Sequence, residues 1–227
     1  MDAAPHPLDD PPGPRLVTGL VKIGLALKSQ AWKDAGPRGL TPTQGQILAL
    51  LARQPPRDQR LSELADALGV TAPTASDAVR ALVEKGYVRK ARTTGQGRAL
   101  ALGLTPTGRT AAAEAAGWPD FLLDAVDTLS PVEQRVFLRG LIKMIRALQE
   151  RGQIPVSRMC VTCRFFRPYV HTDPERPHHC AFVDAPFGDR ALRIECADHE
   201  PAPPAQAART WDRFAATGLP DKRARGP

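Results

Sequence analysis

The sequence predicts a mainly helical protein of the α+β class, followed towards the C-terminus by a small loop-rich module. Helical patterns with capping residues at their starts and glycines at their ends succeed one another between 41 and 86. Two strand-like segments separated by a turn come next, and all four cysteines fall within 157–201. Helix, tight turn, helix and β-hairpin, in this order, are typical of a winged helix-turn-helix.

The first helices are placed by their caps. Residues 1–14 are acidic and Pro-rich without apolar periodicity, which predicts a disordered N-terminus. A helix that is apolar over much of its circumference follows at 15–34 and therefore needs a partner surface. Thr41 is a good N-cap for the next helix, and Gly69 and Gly86 are natural stops for the two helices after it.

The periodicity changes after these helices. Residues 87–92 and 98–104 have the composition of two strands, and the Thr- and Gly-rich segment between them is predicted to be a turn. Thr105 caps a further helix, and Ser130 with Glu133 forms a capping box that opens a long helix to about residue 151.

The charge balance and one helix face indicate DNA binding. The chain has 31 Lys and Arg against 24 Asp and Glu, which gives a net charge of +7. This charge favours a polyanionic partner, and nucleic acid is a better candidate than an acidic membrane surface. On a helical wheel of 71–85 the apolar residues cluster inward, while hydroxyl and charged residues point outward, where they can approach bases and phosphates. The hairpin strands add positive charge beside this helix. The candidate DNA-binding residues are Thr71, Thr74, Ser76, Asp77, Arg80, Arg89, Arg92 and Arg98.

The stretch LTPTQGQILALLARQ…LSELADALGVTAPTASDAVRALVEKGYVRKA…RALALGLTPTGR resembles the MarR family of regulators. The resemblance implies a winged-helix domain over 15–151 with its DNA-binding part at 41–104. It also implies a homodimer held by 15–34 and 118–151, in which the helix at 72–85 reads palindromic double-stranded DNA.

The sequence also predicts where the protein acts. Its acidic, Pro-rich start is unlike a secretory signal, and no apolar run approaches the about 20 residues of a membrane span. We therefore expect a cytoplasmic protein, in whose reducing environment clustered cysteines are ligands or redox groups rather than disulfides. The sequence has no nucleophile–base arrangement, P-loop or dinucleotide fingerprint, so we do not expect an enzyme.

The cysteine spacing is Cys160-x2-Cys163-x16-Cys180-x15-Cys196. Two thiolates two residues apart can bind one centre, and four thiolates suit either a tetrahedral zinc ion or an iron–sulfur cluster. The segment CVTCRFF…HHCAFVDAPFG…ECADHEP resembles the ligand frame of high-potential iron–sulfur proteins, which implies a [4Fe-4S] cluster, with zinc as the alternative. The module is expected over 157–201, and the Pro-, Ala- and Arg-rich residues 202–227 are expected to form a flexible tail.

Three hypotheses for the function follow from these patterns. The first is a transcriptional regulator whose DNA affinity is tuned by the iron–sulfur cluster. The second is a regulator with a structural zinc module that responds to a small aromatic ligand, the usual mode of the family it resembles. The third is an electron-transfer or interaction subunit.

Overall fold

The computed structural model describes residues 11–53, 60–92 and 100–216 of the chain. The α-helices are α1 (Pro12–Ala35), α2 (Pro42–Arg53), α3 (Leu61–Leu68), α4 (Ala72–Glu84), α5 (Pro106–Ala116), α6 (Phe121–Asp127), α7 (Pro131–Glu150) and α8 (Pro204–Ala216). The strands are β1 (Val88–Arg92), β2 (Leu100–Leu104), β3 (Phe166–Arg167), β4 (His178–Cys180) and β5 (Ala185–Phe187). None of the helices among these residues has the length and apolarity that a membrane span requires.

Contacts divide the chain into two units. Within the described residues, the first unit contains 11–65 and 70–123, and the second contains 66–69 and 124–216. The first unit therefore holds the predicted winged helix, and the second holds α7, the cysteines and α8.

Helices α2 and α5 form the centre of the first unit. Ile47 and Leu48 of α2 and Ala112 of α5 are fully buried. Gly45 lets the Trp118 ring lie directly on α2, because a Cβ at this position would be 2.2 Å from two ring carbons. The predicted helix-turn-helix is thus built on a close-packed base of small and aliphatic residues.

Two glycines shape the connections of the β1–β2 hairpin. Gly86 has a φ of +74°, in the left-handed region that glycine adopts at little cost, and it turns the chain from α4 into β1. Gly108 lies in the first turn of α5, where an added Cβ would be 1.9 Å from the carbonyl oxygen of Tyr87. Thr105 caps α5 by accepting a hydrogen bond from the Gly108 amide, and its hydroxyl donates to the carbonyl of Gly86 at 2.7 Å.

The second unit packs α7 and α8 against the cysteine-bearing loops. Its sheet is antiparallel in the order β3-β4-β5, with Cys180 opposite both Phe166 and Ala185. The buried core comprises Ile142, Met159, Val161, Cys163, Phe166, Leu192 and Phe214. A core contributed by α7, α8 and the loops explains why so little regular structure suffices between the two helices.

The N-terminal helix begins earlier than predicted. It starts at Pro12, inside the segment 1–14 that was predicted to be disordered, while residues 1–10 lie outside the described part of the chain. Proline is favoured in the first helical turn, since its missing N–H would have no intrahelical acceptor there. The prolines therefore start this helix instead of excluding it.

The second half of the chain differs in two respects from what the sequence led us to expect. Residues 204–216 of the expected flexible tail form α8, whose Phe214 is fully buried, and 217–227 lie outside the described residues. Helix α7 was assigned to a winged-helix domain over 15–151, but it groups with the cysteine module because its Ile142 is buried in the module's core. Both differences arise because local composition does not show which surface an apolar residue packs against.

Candidate functional site

The outer face of α4 presents a row of small polar and charged side chains. Ala75, Val79 and Leu82 are buried on its inner side. The exposed candidates on and before the helix are Thr71, Thr74, Ser76, Asp77 and Arg80. The predicted helical wheel therefore agrees with the burial observed along this helix.

Two contacts organise this face. Thr71 is the N-cap, and its hydroxyl accepts from the Thr74 amide and lies 2.8 Å from the Thr74 hydroxyl. Asp77 accepts a hydrogen bond from Arg80 at 2.8 Å, and both side chains are about two-thirds exposed, at 66% and 65%. An ion pair so exposed is weak, so Arg80 can exchange Asp77 for a base or a phosphate at low cost.

The hairpin lies next to α4 in the chain. Strands β1 and β2 pair antiparallel, with Val88 opposite Leu104 at the helix-proximal end. Arg89 is exposed on β1. Arg98 and the hairpin tip at 93–97 lie outside the described residues, as does the side chain of Arg92.

All four cysteines line one cavity in the second unit. Cys160 opens a short 3-10 turn, Cys163 follows that turn, Cys180 ends β4, and Cys196 lies in the loop before α8. The cavity has a volume of about 180 Å³, and the four cysteines are free thiols. The remaining lining residues are Phe165, Phe166, Phe182, Val183, Ala185, Phe187, Ala191, Arg193 and Asp198.

Arg193 contacts two of these sulfurs. Its backbone amide donates to Cys160 Sγ at 3.3 Å, and its guanidinium lies 3.9 Å from Cys196 Sγ. Burial raises the pKa of Cys160, and the charges of the other three cysteines raise it further, against the lowering effect of the Arg193 amide.

The four thiols are soft donors of the kind that both a tetrahedral zinc ion and an iron–sulfur cluster use. In the described part of the chain, no three His, Cys, Asp or Glu side chains are grouped as they would be around one ion. The cavity of about 180 Å³ is bounded by these four thiols and by several phenylalanines, which are donors and apolar walls of the kind found around iron–sulfur clusters.

The neighbouring histidines do not line this cavity. Among the residues that the structure describes, His178 is fully buried, with Nε2 2.9 Å from Asp189 Oδ1. His199 Nε2 is 3.0 Å from the Thr162 hydroxyl, and burial and the charge of Arg158 lower the His199 pKa. The ring nitrogens of these two histidines therefore contact Asp189, Tyr169 and Thr162.

A buried ionic cluster that the sequence did not indicate lies next to β4. Arg139 of α7 donates to Asp189 at 2.8 Å and to the Tyr169 hydroxyl, and its side chain is only 6% exposed. Burial opposes ionisation of Asp189, but hydrogen bonds from His178 and Arg139, with the Arg139 charge, lower its pKa overall. The available signal was an arginine three residues before Ile142, on the inner face of an amphipathic helix.

The first part of the chain is similar to a known protein family. Residues 38–99 match the MarR family. This MarR-like segment runs from the end of α1 to the hairpin and ends before the first cysteine. No curated protein matches the chain.

Solved structures support the same fold. The chain is 24% identical to Staphylococcus aureus MepR in its complex with DNA, over 58% of this chain and 97% of that one, with a TM-score of 0.53. MepR in its DNA-binding conformation is 24% identical over 59% of this chain and 98% of that one, with a TM-score of 0.53. The transcriptional regulator PA3341 is 24% identical in sequence over 60% of this chain and 99% of that one, with a TM-score of 0.53. At this identity the likeness establishes the fold of the MarR-like part.

Proposed function

We propose that this chain is a dimeric, sequence-specific DNA-binding transcriptional regulator, whose DNA affinity is tuned by a [4Fe-4S] cluster held by Cys160, Cys163, Cys180 and Cys196. The proposal of DNA binding rests on the exposed polar face of α4 within a MarR-like winged helix. A groove-facing helix needs small hydroxyl residues at its start and a long cation further along, and α4 has both.

The recognition geometry follows from the caps of α4. Thr71 and Thr74 lie at its N-terminus, where free amides and the helix dipole favour contact with phosphate. Arg80 lies two turns on, and its guanidinium fork matches the O6 and N7 acceptors of guanine. Arg89 on the hairpin adds a charge for backbone contact. MepR, to which the fold is similar, has been solved bound to DNA.

Homodimerisation is supported by the exposed apolar side chains of α1. This 24-residue helix buries only Ala35 within its own unit. Its exposed large apolar residues are Leu16, Val17, Val21, Ile23, Leu25 and Trp32. So many exposed side chains on one helix are costly in water, and a symmetric interface would cover them.

The cluster proposal rests on the cavity that the four cysteines share. Bound there, a [4Fe-4S] cluster would supply one-electron redox chemistry and sensitivity to oxygen and iron supply. The four thiolates would hold it, the Arg193 amide would donate to the Cys160 sulfur, and the phenylalanine walls would limit water access.

The test is operator binding by anaerobically purified protein in its cluster-bound, oxidised and cluster-free states at fixed salt. We expect brown protein with broad absorption near roughly 400 nm and an operator affinity that changes about 5- to 150-fold between states. If the protein is colourless and contains zinc, the module is a structural zinc site and a small ligand is favoured as the effector. Brown protein with equal affinity in all states would exclude the sensor function, and no affinity for any genomic operator would exclude the regulator.

A further inference from the structure

The second unit contains a charged cluster that joins α7 to the strand bearing Cys180. Arg139 Nη1 donates to Asp189 Oδ1 at 2.8 Å and to the Tyr169 hydroxyl, while its Nη2 donates to the Phe214 carbonyl at 3.2 Å. The same Asp189 oxygen lies 2.9 Å from Nε2 of His178, the first residue of β4.

These contacts form one continuous path. From Arg139 it runs through Asp189 and His178 into β4, where Cys180 is the third residue. Every member of the path is held from more than one side. His178 Nδ1 accepts from the Tyr169 amide at 3.3 Å, and the Arg139 guanidinium lies 4.4 Å from the Phe214 ring centroid.

Burial makes Arg139 sensitive to the state of the loops around it. Its side chain is 6% exposed, and Asp189, Tyr169 and Phe214, which accept its hydrogen bonds, belong to the cysteine-bearing loops and α8. A buried guanidinium that loses its acceptors is strongly unfavourable, so it must move to water and take its helix with it. Without the cluster, the loops of this small module would lose the metal–ligand bonds that contribute to their folding.

Helix α7 has a second, open face. Val136, Gly140 and Met144 follow one another at intervals of four residues and therefore share a face, with Phe137 beside it. Val136, Phe137 and Met144 are 40–43% exposed. On a helical wheel this apolar stripe lies to one side of Arg139, with Val136 one turn before it, so α7 carries the module's contacts and an uncovered apolar surface on adjoining faces.

We infer that Arg139 is a positioning residue, which makes the placement of α7 depend on whether the cysteine site holds its cluster. With the cluster bound, Asp189 and Tyr169 hold Arg139 and fix α7. When the cluster is lost, the loops loosen, Arg139 leaves Asp189, and α7 is released with its apolar stripe. This coupling rests on the proposed function, because it needs a cluster whose loss changes the protein.

The experiment compares wild type, Arg139→Met and Arg135→Met as full chains, each with and without cluster. Methionine keeps much of the aliphatic length and removes the charge. Arg135 is the matched control, one turn earlier on the same helix, 26% exposed and 3.9 Å from Glu175. The measurements are iron per chain, amide exchange of residues 131–150, and the operator Kd at fixed salt.

In wild type and Arg135→Met, we expect cluster removal to accelerate exchange in α7 and to change the operator Kd about 5- to 150-fold. Arg139→Met should still bind iron, but its Kd ratio between the two states should fall towards one. Arg139→Lys, which keeps the charge without the bidentate fork, should recover part of that ratio.

The outcomes separate the two proposals. Wild type without iron, or with the same Kd in both states, overturns the proposed function and this coupling with it. If the ratio of the operator Kd values with and without cluster is the same in Arg139→Met as in wild type, only the coupling is overturned. Should Arg139→Met fail to fold, Asp189→Asn tests the same contact from the other side, and an unchanged ratio there also overturns it.

Discussion

Arg193 touches two of the four cysteines with different parts of one residue. Its amide is fixed by the backbone, whereas its guanidinium near Cys196 is exposed and brings a positive charge beside the proposed cluster. A nearby positive charge stabilises the reduced form of a cluster, which carries one more electron. The side chain of Arg193 would therefore tune the proposed cluster, while its backbone amide holds the Cys160 sulfur.

We predict that Arg193→Met lowers the reduction potential of the cluster. An exposed charge at this distance contributes about 1 kcal/mol, which corresponds to roughly 40 mV for one electron. A potentiometric titration followed by visible absorption measures the shift. Arg190→Met, an exposed arginine three residues earlier on the 3-10 turn Asp189–Ala191, is the control and should leave the potential within about 10 mV. Equal shifts in both variants would contradict a specific role for Arg193.

On the DNA-binding face, Arg80 is the residue with the clearest expected effect. Arg80→Ala should weaken operator binding by about 1–3 kcal/mol if the arginine reads guanine, and should flatten the sequence preference. Binding to a panel of single-base operator variants measures both effects. Arg151→Ala removes an equal charge from an exposed position in the second unit and is the control. An unchanged preference in Arg80→Ala would remove this residue from base recognition.

At the scale of elements, Gly108 ties the hairpin to α5. A Cβ at this position would be 1.9 Å from the Tyr87 carbonyl, which is backbone and cannot move away cheaply. Gly108→Ala should lower the free energy of unfolding by about 2 kcal/mol or more. Gly103→Ala is the control, because the nearest atom to its Cβ is 3.7 Å away, on Arg89. Urea unfolding of both variants tests the difference, and equal stabilities would contradict it.

Elements with local signals were the ones that the sequence predicted. The capping box at Ser130 and Glu133 is present as expected, and α5 begins after the predicted cap at Thr105. Helix α8 had no such signal, because its stability comes from burying Phe214 against residues that are distant in the sequence. Local composition predicts where a helix can begin, but tertiary contacts decide whether an Ala-rich segment is ordered.

The same distinction applies to the sites. The cysteine spacing predicted the residues that share the cavity, because a close pair of thiols with two more in a short segment is typical of ligands that converge on one centre. The pairing of Arg139 with Asp189 spans 50 positions. An arginine on the inner side of an amphipathic helix can equally extend to solvent, so sequence alone could not indicate that this one is buried.

At the scale of the whole molecule, the two units should respond differently to loss of the cluster. The module expected from the sequence covers 157–201 only. In the structure, however, Ile142 of α7 and Phe214 of α8 lie in the same buried core as Cys163 and Phe166. A core shared in this way loosens cooperatively, so α8 should become accessible together with the cysteine loops.

We therefore predict that cluster-free protein is cut by trypsin within α8, at Arg209 and Arg213, while α4 stays protected because it is packed on a separate core. Mass spectrometry of timed digests measures the order of cleavage. Phe214→Ala provides an independent comparison, since removing this ring costs about 3–5 kcal/mol and should expose the same sites in cluster-bound protein. Early cleavage in α4 of cluster-free protein would show that the winged helix depends on the module for its own stability. Intact α8 in that protein would show that the cluster contributes nothing to the folding of the second unit.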